Sequence, residues 1–190
     1  MLSESECLGF PCSGKSWVLS NVLEEEHCGK KIYHHNHSNF KKMCHVIFSP
    51  KKINVLWFLI KLSNSNKNTF KYNVKKSIIL MSRLGIFKFQ NKFCVEEGVF
   101  QSLWGWLNTL PLSENNMKLV SNLLDVINTP SHVYYIITDV EKLTQRADER
   151  VRKHRFNTCS TDEFMVSNKW MEFLLKEIKR RSINLVTIKN

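Results

Sequence analysis

Gly9-Phe10-Pro11-Cys12-Ser13-Gly14-Lys15-Ser16 decides how this chain reads, because it fits G-x-x-x-x-G-K-[ST] at every fixed position. Each fixed residue meets a physical need of a phosphate-binding loop. Gly9 and Gly14 let the backbone turn so that successive N–H groups point inward at an anion. Lys15 sets an ammonium group against the β- and γ-phosphates, and Ser16 offers a hydroxyl to Mg²⁺. The helix that Ser16 opens directs its positive dipole end at the same phosphates. With Phe10, Pro11, Cys12 and Ser13 forming the wall, the whole stretch Gly9–Ser16 is the expected contact for ATP, with Mg²⁺ as its counterion.

Outward from the loop, short β-type runs alternate with longer helical ones, the pattern of an α/β domain with a mainly parallel sheet. Before the loop, Ser3-Glu4-Ser5-Glu6 is acidic and only Cys7-Leu8 reads as strand. After it, a helix is expected from Ser16 to about Glu26 and a short strand at Lys31–Tyr33. Helical stretches follow at Lys51–Leu62 and Phe70–Phe89, then a strand at Phe93–Val95. Val99–Leu107 reads as helix, broken by Thr109-Leu110-Pro111, and Asn115–Ile127 as another, ended by Thr129-Pro130. His132–Ile137, rich in Val, Tyr and Ile, is the best strand in the chain. A basic helical region covers Val140–Arg155, Ser160–Asp162 can cap a helix reaching about Arg180, and Ile183–Ile188 supplies the last strand. The expected architecture is a three-layer α/β P-loop domain with roughly five strands, spanning 1–190 as one unit.

Composition narrows the partners. The chain has 190 residues, 43% of them hydrophobic, with five Trp, twelve Phe and four Tyr, which is enough for one folded core. Only six Gly and four Pro argue against a turn-rich all-β fold. A formal charge of +11, from 28 Lys+Arg against 17 Asp+Glu, favours anionic partners: nucleotides, phosphorylated metabolites, nucleic acid or a membrane surface. Six cysteines are scattered with no CxxC pair, Met1–Glu6 is polar and acidic, and the apolar run Val55–Ile60 falls far short of the roughly 20 residues of a membrane span. Reduced thiols in a cytoplasmic protein are therefore expected.

Asp139 follows the best strand, with Arg146 seven residues on and Arg150 eleven on, then Arg152 and Arg155. Arg146 and Arg150 are i,i+4 and share a helical face, where two guanidiniums can hold a phosphoryl group in transfer. The same spacing also suits a solvated basic helix beside Asp148 and Glu149. A P-loop followed about 120 residues later by strand, Asp, x6, Arg, x3, Arg resembles the thymidylate kinase and deoxynucleoside kinase group of P-loop kinases. That resemblance implies a mobile lid at about 142–160 closing over the ATP phosphates, with Arg146 and Arg150 as its catalytic arginines and Arg152 and Arg155 as reinforcements. It implies an acceptor that is a nucleoside or nucleoside monophosphate.

The middle of the chain departs from the group. Its acidic acceptor motif has only Ser82-Arg83 as a counterpart, without the acid. Val95-Glu96-Glu97-Gly98, at a strand end, resembles instead the Asp-Glu-Gly pattern of thymidylate-kinase-like P-loop proteins. Glu96 takes the metal side with Ser16, and Glu97 is the candidate base that accepts a proton from an attacking hydroxyl; two solvated glutamates at a turn are the plain alternative. His27, Cys28, His34, His35, His37, Cys44 and His45 crowd together without four-ligand spacing, so they read as pocket or surface residues and not as a zinc site. Trp57-Phe58, Trp104, Trp106, Trp170, Tyr134 and Tyr135 read as core. The expected function is ATP-dependent phosphoryl transfer to a small-molecule acceptor. A nucleotide-binding regulatory protein and a polynucleotide-end kinase are the rivals, and a homodimer is left open; nucleic acid is not favoured, since no stacking platform interleaved with cations occurs.

Overall fold

A computed structural model describes residues 5–23, 31–33, 55, 58, 60–62, 93–108, 110–149 and 161–190. Among the described residues five strands form one sheet: β1 (Ser5–Gly9), β2 (Lys31–Tyr33), β3 (Phe93–Val95), β4 (His132–Ile137) and β5 (Asn184–Lys189). Their order across the sheet is β2-β3-β1-β4-β5, and every neighbouring pair is parallel. Among the described residues the helices with defined bounds are α1 (Lys15–Val18), α2 (Val99–Leu107), α3 (Glu114–Val126), α4 (Val140–Asp148) and α5 (Thr161–Arg180). The α/β, P-loop type of sheet expected from the loop is thus the one observed.

Alternation along β1 divides the core into two layers, as the period of a strand requires. Leu8 faces the helices α2, α3 and α5, among Phe100, Leu103, Trp104, Trp106, Val120, Leu124, Trp170 and Leu174. Cys7 faces the other way, with Cys94, Tyr134 and Ile136, against Val18 and Leu19 of the segment after the loop. A parallel sheet covered on both faces is the stable solution for strands of this apolar content. The indoles bury without loss because their N–H groups are met: Trp104 donates to the Ser167 carbonyl at 3.0 Å and Trp170 to that of Leu110 at 3.2 Å. Ser113 caps α3, its hydroxyl accepting from the Asn116 N–H at 3.3 Å.

Three expectations are corrected. The first strand is not limited to Cys7-Leu8 but runs from Ser5, wholly buried and in register with β4 from Ser5↔His132 to Gly9↔Ile136; the acid at position 6 is accommodated by a cap described below. The helix after the loop is α-helical only to Val18 and continues as a π-helical turn, Leu19–Leu23. The helix after β4 ends at Asp148, with Glu149 as its C-cap, where a run to Arg155 was expected. The other boundaries agree within a residue or so: α2 and β4 coincide with their expected ranges, as do β2 and β3. Val55, Phe58 and 60–62 are helical as expected. The stretch Phe70–Phe89, with Ser82-Arg83, lies outside the described residues, as does the remainder of Lys51–Leu62.

Candidate functional site

The loop leaves β1 at Gly9 because nothing larger fits: a Cβ there would stand 2.9 Å from the Ile136 carbonyl and 2.8 Å from the Ser13 hydroxyl. Phe10 then anchors the wall in the core, its ring 5.2 Å from Trp104 edge-on and 5.7 Å from Phe164 in a stack. The turn closes with the Ser13 N–H donating to the Phe10 carbonyl at 3.1 Å. Two residues of the loop adopt the left-handed region, Cys12 at φ 67° and Gly14 at φ 84°. Gly14 is doubly constrained, since a Cβ there would meet the Asn190 amide at 2.0 Å and an Arg146 guanidinium nitrogen at 3.3 Å.

Lys15, almost fully buried, folds back over the loop and donates through Nζ to the carbonyls of Gly9 and Phe10, each at 3.0 Å. The Ser13 hydroxyl is buried with no hydrogen-bond partner among the described residues. Such an orphan costs roughly 1–3 kcal/mol unless something meets it, so a polar occupant of the loop fits. Ser13's own carbonyl accepts from Thr138 Oγ1 at 2.9 Å and from Asn190 Nδ2 at 2.8 Å, which ties the loop to the ends of β4 and β5.

Ser16 and Glu96, eighty positions apart, meet at the carboxyl ends of β1 and β3, the Ser16 hydroxyl donating to Glu96 Oε1. The helices after these two strands cover opposite faces of the sheet. The pair thus stands at a topological switch point, where ligands of open parallel sheets bind. A hydroxyl and a carboxylate together are the hard oxygen donors that suit Mg²⁺. Glu97, beside it, is exposed. Among the described residues no three or more His, Cys, Asp or Glu side chains gather as a metal cluster.

Arg146, in the last turn of α4, reaches the loop from the other side and donates to the Cys12 carbonyl at 3.4 Å. It helps line a groove of about 620 Å³ with Cys12, Gly14, Trp17, Glu149 and Asn190, a size that suits a small-molecule ligand. Two lining residues, Trp17 and Asn190, escaped sequence reading: Trp17 is 56% exposed although large and apolar, and Asn190 is brought in only by the last strand. Arg150, Arg152 and Arg155 lie outside the described residues, as do the histidines and cysteines between His27 and His45. Of the aromatics expected in the core, Trp104, Trp106, Trp170 and Tyr134 are buried, Phe58 and Tyr135 pack partly buried against the α2–α3–α5 layer, and Trp57 lies outside the described residues. Burial, and the Glu172 charge after it, push the Tyr135 hydroxyl above its usual range. Cys7, Cys12 and Cys94 are free thiols, and the Cys94 contact, then burial, holds Cys7 well above the usual thiol range. No helix of the described residues is long and apolar enough to cross a membrane.

No family model matches the chain, and no curated protein does. Among solved structures it is similar to deoxyadenosine kinase from M. mycoides with bound dCTP, at TM-score 0.58 and 12% identity, over 98% of this chain and 89% of that one. The same enzyme with bound dATP gives a TM-score of 0.56 at 12% identity, over 98% and 90%. Thymidylate kinase from Candida albicans gives 0.57 at 14% identity, over 99% and 84%. At such identities the likeness establishes the fold, that of the P-loop nucleoside and nucleotide kinases.

Proposed function

We propose that this chain is an ATP-dependent kinase passing a γ-phosphoryl group to an oxygen of a nucleoside or nucleoside monophosphate. The single observation that supports it most is the pairing of Ser16 with Glu96 directly beside a loop whose lysine covers its mouth. The fold it shares with nucleoside and nucleotide kinases, one of them solved with bound dATP, supports the choice of acceptor class.

In this reading the N–H groups of Gly9–Ser16 cradle the phosphates and Lys15 shifts from its carbonyl partners onto them. Ser16 and Glu96 hold Mg²⁺, which would supply charge neutralisation at the phosphate oxygens. Glu97, exposed at the same turn, accepts the proton of the attacking hydroxyl. Arg146, with Arg150, stabilises the charge that develops in transfer, and the segment at about 142–160 is the lid of a single domain. Catalysis is then mainly positioning and electrostatics. The free thiols suit a reducing compartment such as the cytoplasm.

The test is a phosphoryl-transfer screen over nucleosides, nucleoside monophosphates and oligonucleotides with Mg·ATP as donor. Transfer to a nucleoside or monophosphate is expected. Tight ATP binding without any transfer would replace this reading by a regulatory nucleotide-binding protein. Transfer confined to oligonucleotides, with steep salt sensitivity, would replace it by a polynucleotide-end kinase.

A further inference from the structure

Glu6, the second residue of β1, is fully buried. An ionised carboxylate in such a place is costly unless it is met by donors. It is met by Val99 N–H at 2.7 Å to one oxygen and by Gln101 N–H at 3.1 Å to the other. These are first-turn donors of α2, which have no partner within their own helix and carry its positive end. Gly98, the N-cap, makes no side-chain cap bond, so a strand residue more than ninety positions away does the capping. The approach also explains why position 98 is glycine, since a Cβ there would stand 2.3 Å from the carboxylate.

The side chain of Gln101 completes the circuit, its Oε1 accepting the N–H of Gly9, the first residue of the phosphate loop, at 3.0 Å. One strand residue thus fixes the start of α2, and α2 in turn fixes the entry to the loop. Glu96 precedes Val99, the first residue of that helix, by three positions, and Ser16 closes the loop. We infer that Glu6 and Gln101 are positioning residues that set the spacing between the phosphate loop and the Glu96 turn, and so the Mg²⁺ seat shared by Ser16 and Glu96. This rests on the nucleotide-site reading above.

The test is calorimetric titration of the full chain with ATP in Mg²⁺ and in EDTA, read as the ratio of the two affinities. Gln101→Met keeps the side chain's length but removes the acceptor; it should lower the ratio by about tenfold, as loss of a supporting hydrogen bond does at metal seats. Metal-free affinity should change much less than the Mg²⁺-dependent gain. Glu6→Gln turns one acceptor oxygen into a donor facing an N–H, and should lower the ratio in the same direction. If Gln101→Met does not fold, Glu6→Gln decides by the same ratio. Val120→Ala, a core truncation on α3, should lower Tm and leave the ratio alone. Folded variants with the wild-type ratio, or an equal fall for Val120→Ala, overturn the positioning role alone. Wild-type protein that binds no Mg·ATP overturns the nucleotide site and the relay together.

Discussion

The loop end of the sheet and the α3–α5 face both gather arginine or lysine, but the cations rest on different partners. At the loop, Lys15 and Arg146 donate to backbone carbonyls of Gly9, Phe10 and Cys12. Between α3 and α5, Arg181 donates to Glu177 and, at 2.5 Å, to Asp125, while Arg180 reaches the same two carboxylates at 3.2 and 3.3 Å. A carbonyl dipole leaves most of a cation's charge available to an incoming anion, whereas a carboxylate cancels it. In the proposed reading the loop cations are the ones that meet a ligand, whereas Arg180 and Arg181 tie α3 to the end of α5.

The sharpest break of that contrast is Lys15→Ala. It should weaken Mg·ATP binding by roughly 30–1000-fold, the scale of losing one charged partner at a buried contact, read by calorimetry. Glu96→Gln should cut the Mg²⁺-dependent gain in affinity by roughly 10–100-fold while changing metal-free binding little. Arg146→Ala should spare most binding and lower turnover by at least about tenfold, since it removes charge stabilisation developed in transfer; equal, mild effects from Lys15→Ala and Arg146→Ala would unseat the lid assignment.

Glu177→Gln is the counter-case and the smallest effect on ligand: nucleotide affinity unchanged, with a loss of roughly 1–3 kcal/mol of stability, seen as a lower Tm. Burial alone would raise the Glu177 carboxyl, but hydrogen bonds from Arg181 and Arg180 outweigh it and leave it below its ordinary value. A depressed carboxyl stabilises the fold above its unfolded pKa of about 4.3 and loses that contribution as pH falls through the folded value. The Tm gap between Glu177→Gln and wild type should therefore be full near neutrality and shrink below about pH 4. A gap that grew on acidification would mean the pair is not what stabilises this face.

The same contrast marks what could be read from sequence. Gly9, Gly14, Lys15 and Ser16 were legible because their chemistry fixes their spacing within eight residues. α2 and β4 were legible because their periodicity is local and bounded by Gly98 and Pro130. Glu6 was not, since an acid argues against a strand and the N–H donors that meet it, those of Val99 and Gln101, come from across the fold. Gln101, Trp17 and Asn190 carry no local pattern at all; their roles arise from β1, α2 and β5 converging at one end of the sheet. The Asp-Glu-Gly resemblance assigns Glu96 to the metal side, but its direct contact with Ser16 was not legible, since nothing in their spacing specifies it.

The most direct measurement is titration of the folded chain and of Lys15→Ala with ATP and magnesium, with the fold of both checked by circular dichroism. A saturable isotherm for the first and a strongly weakened or absent one for the second is the predicted result. No saturation by either, or the same affinity for both, would mean that residues 9–16 form a turn and hold no nucleotide.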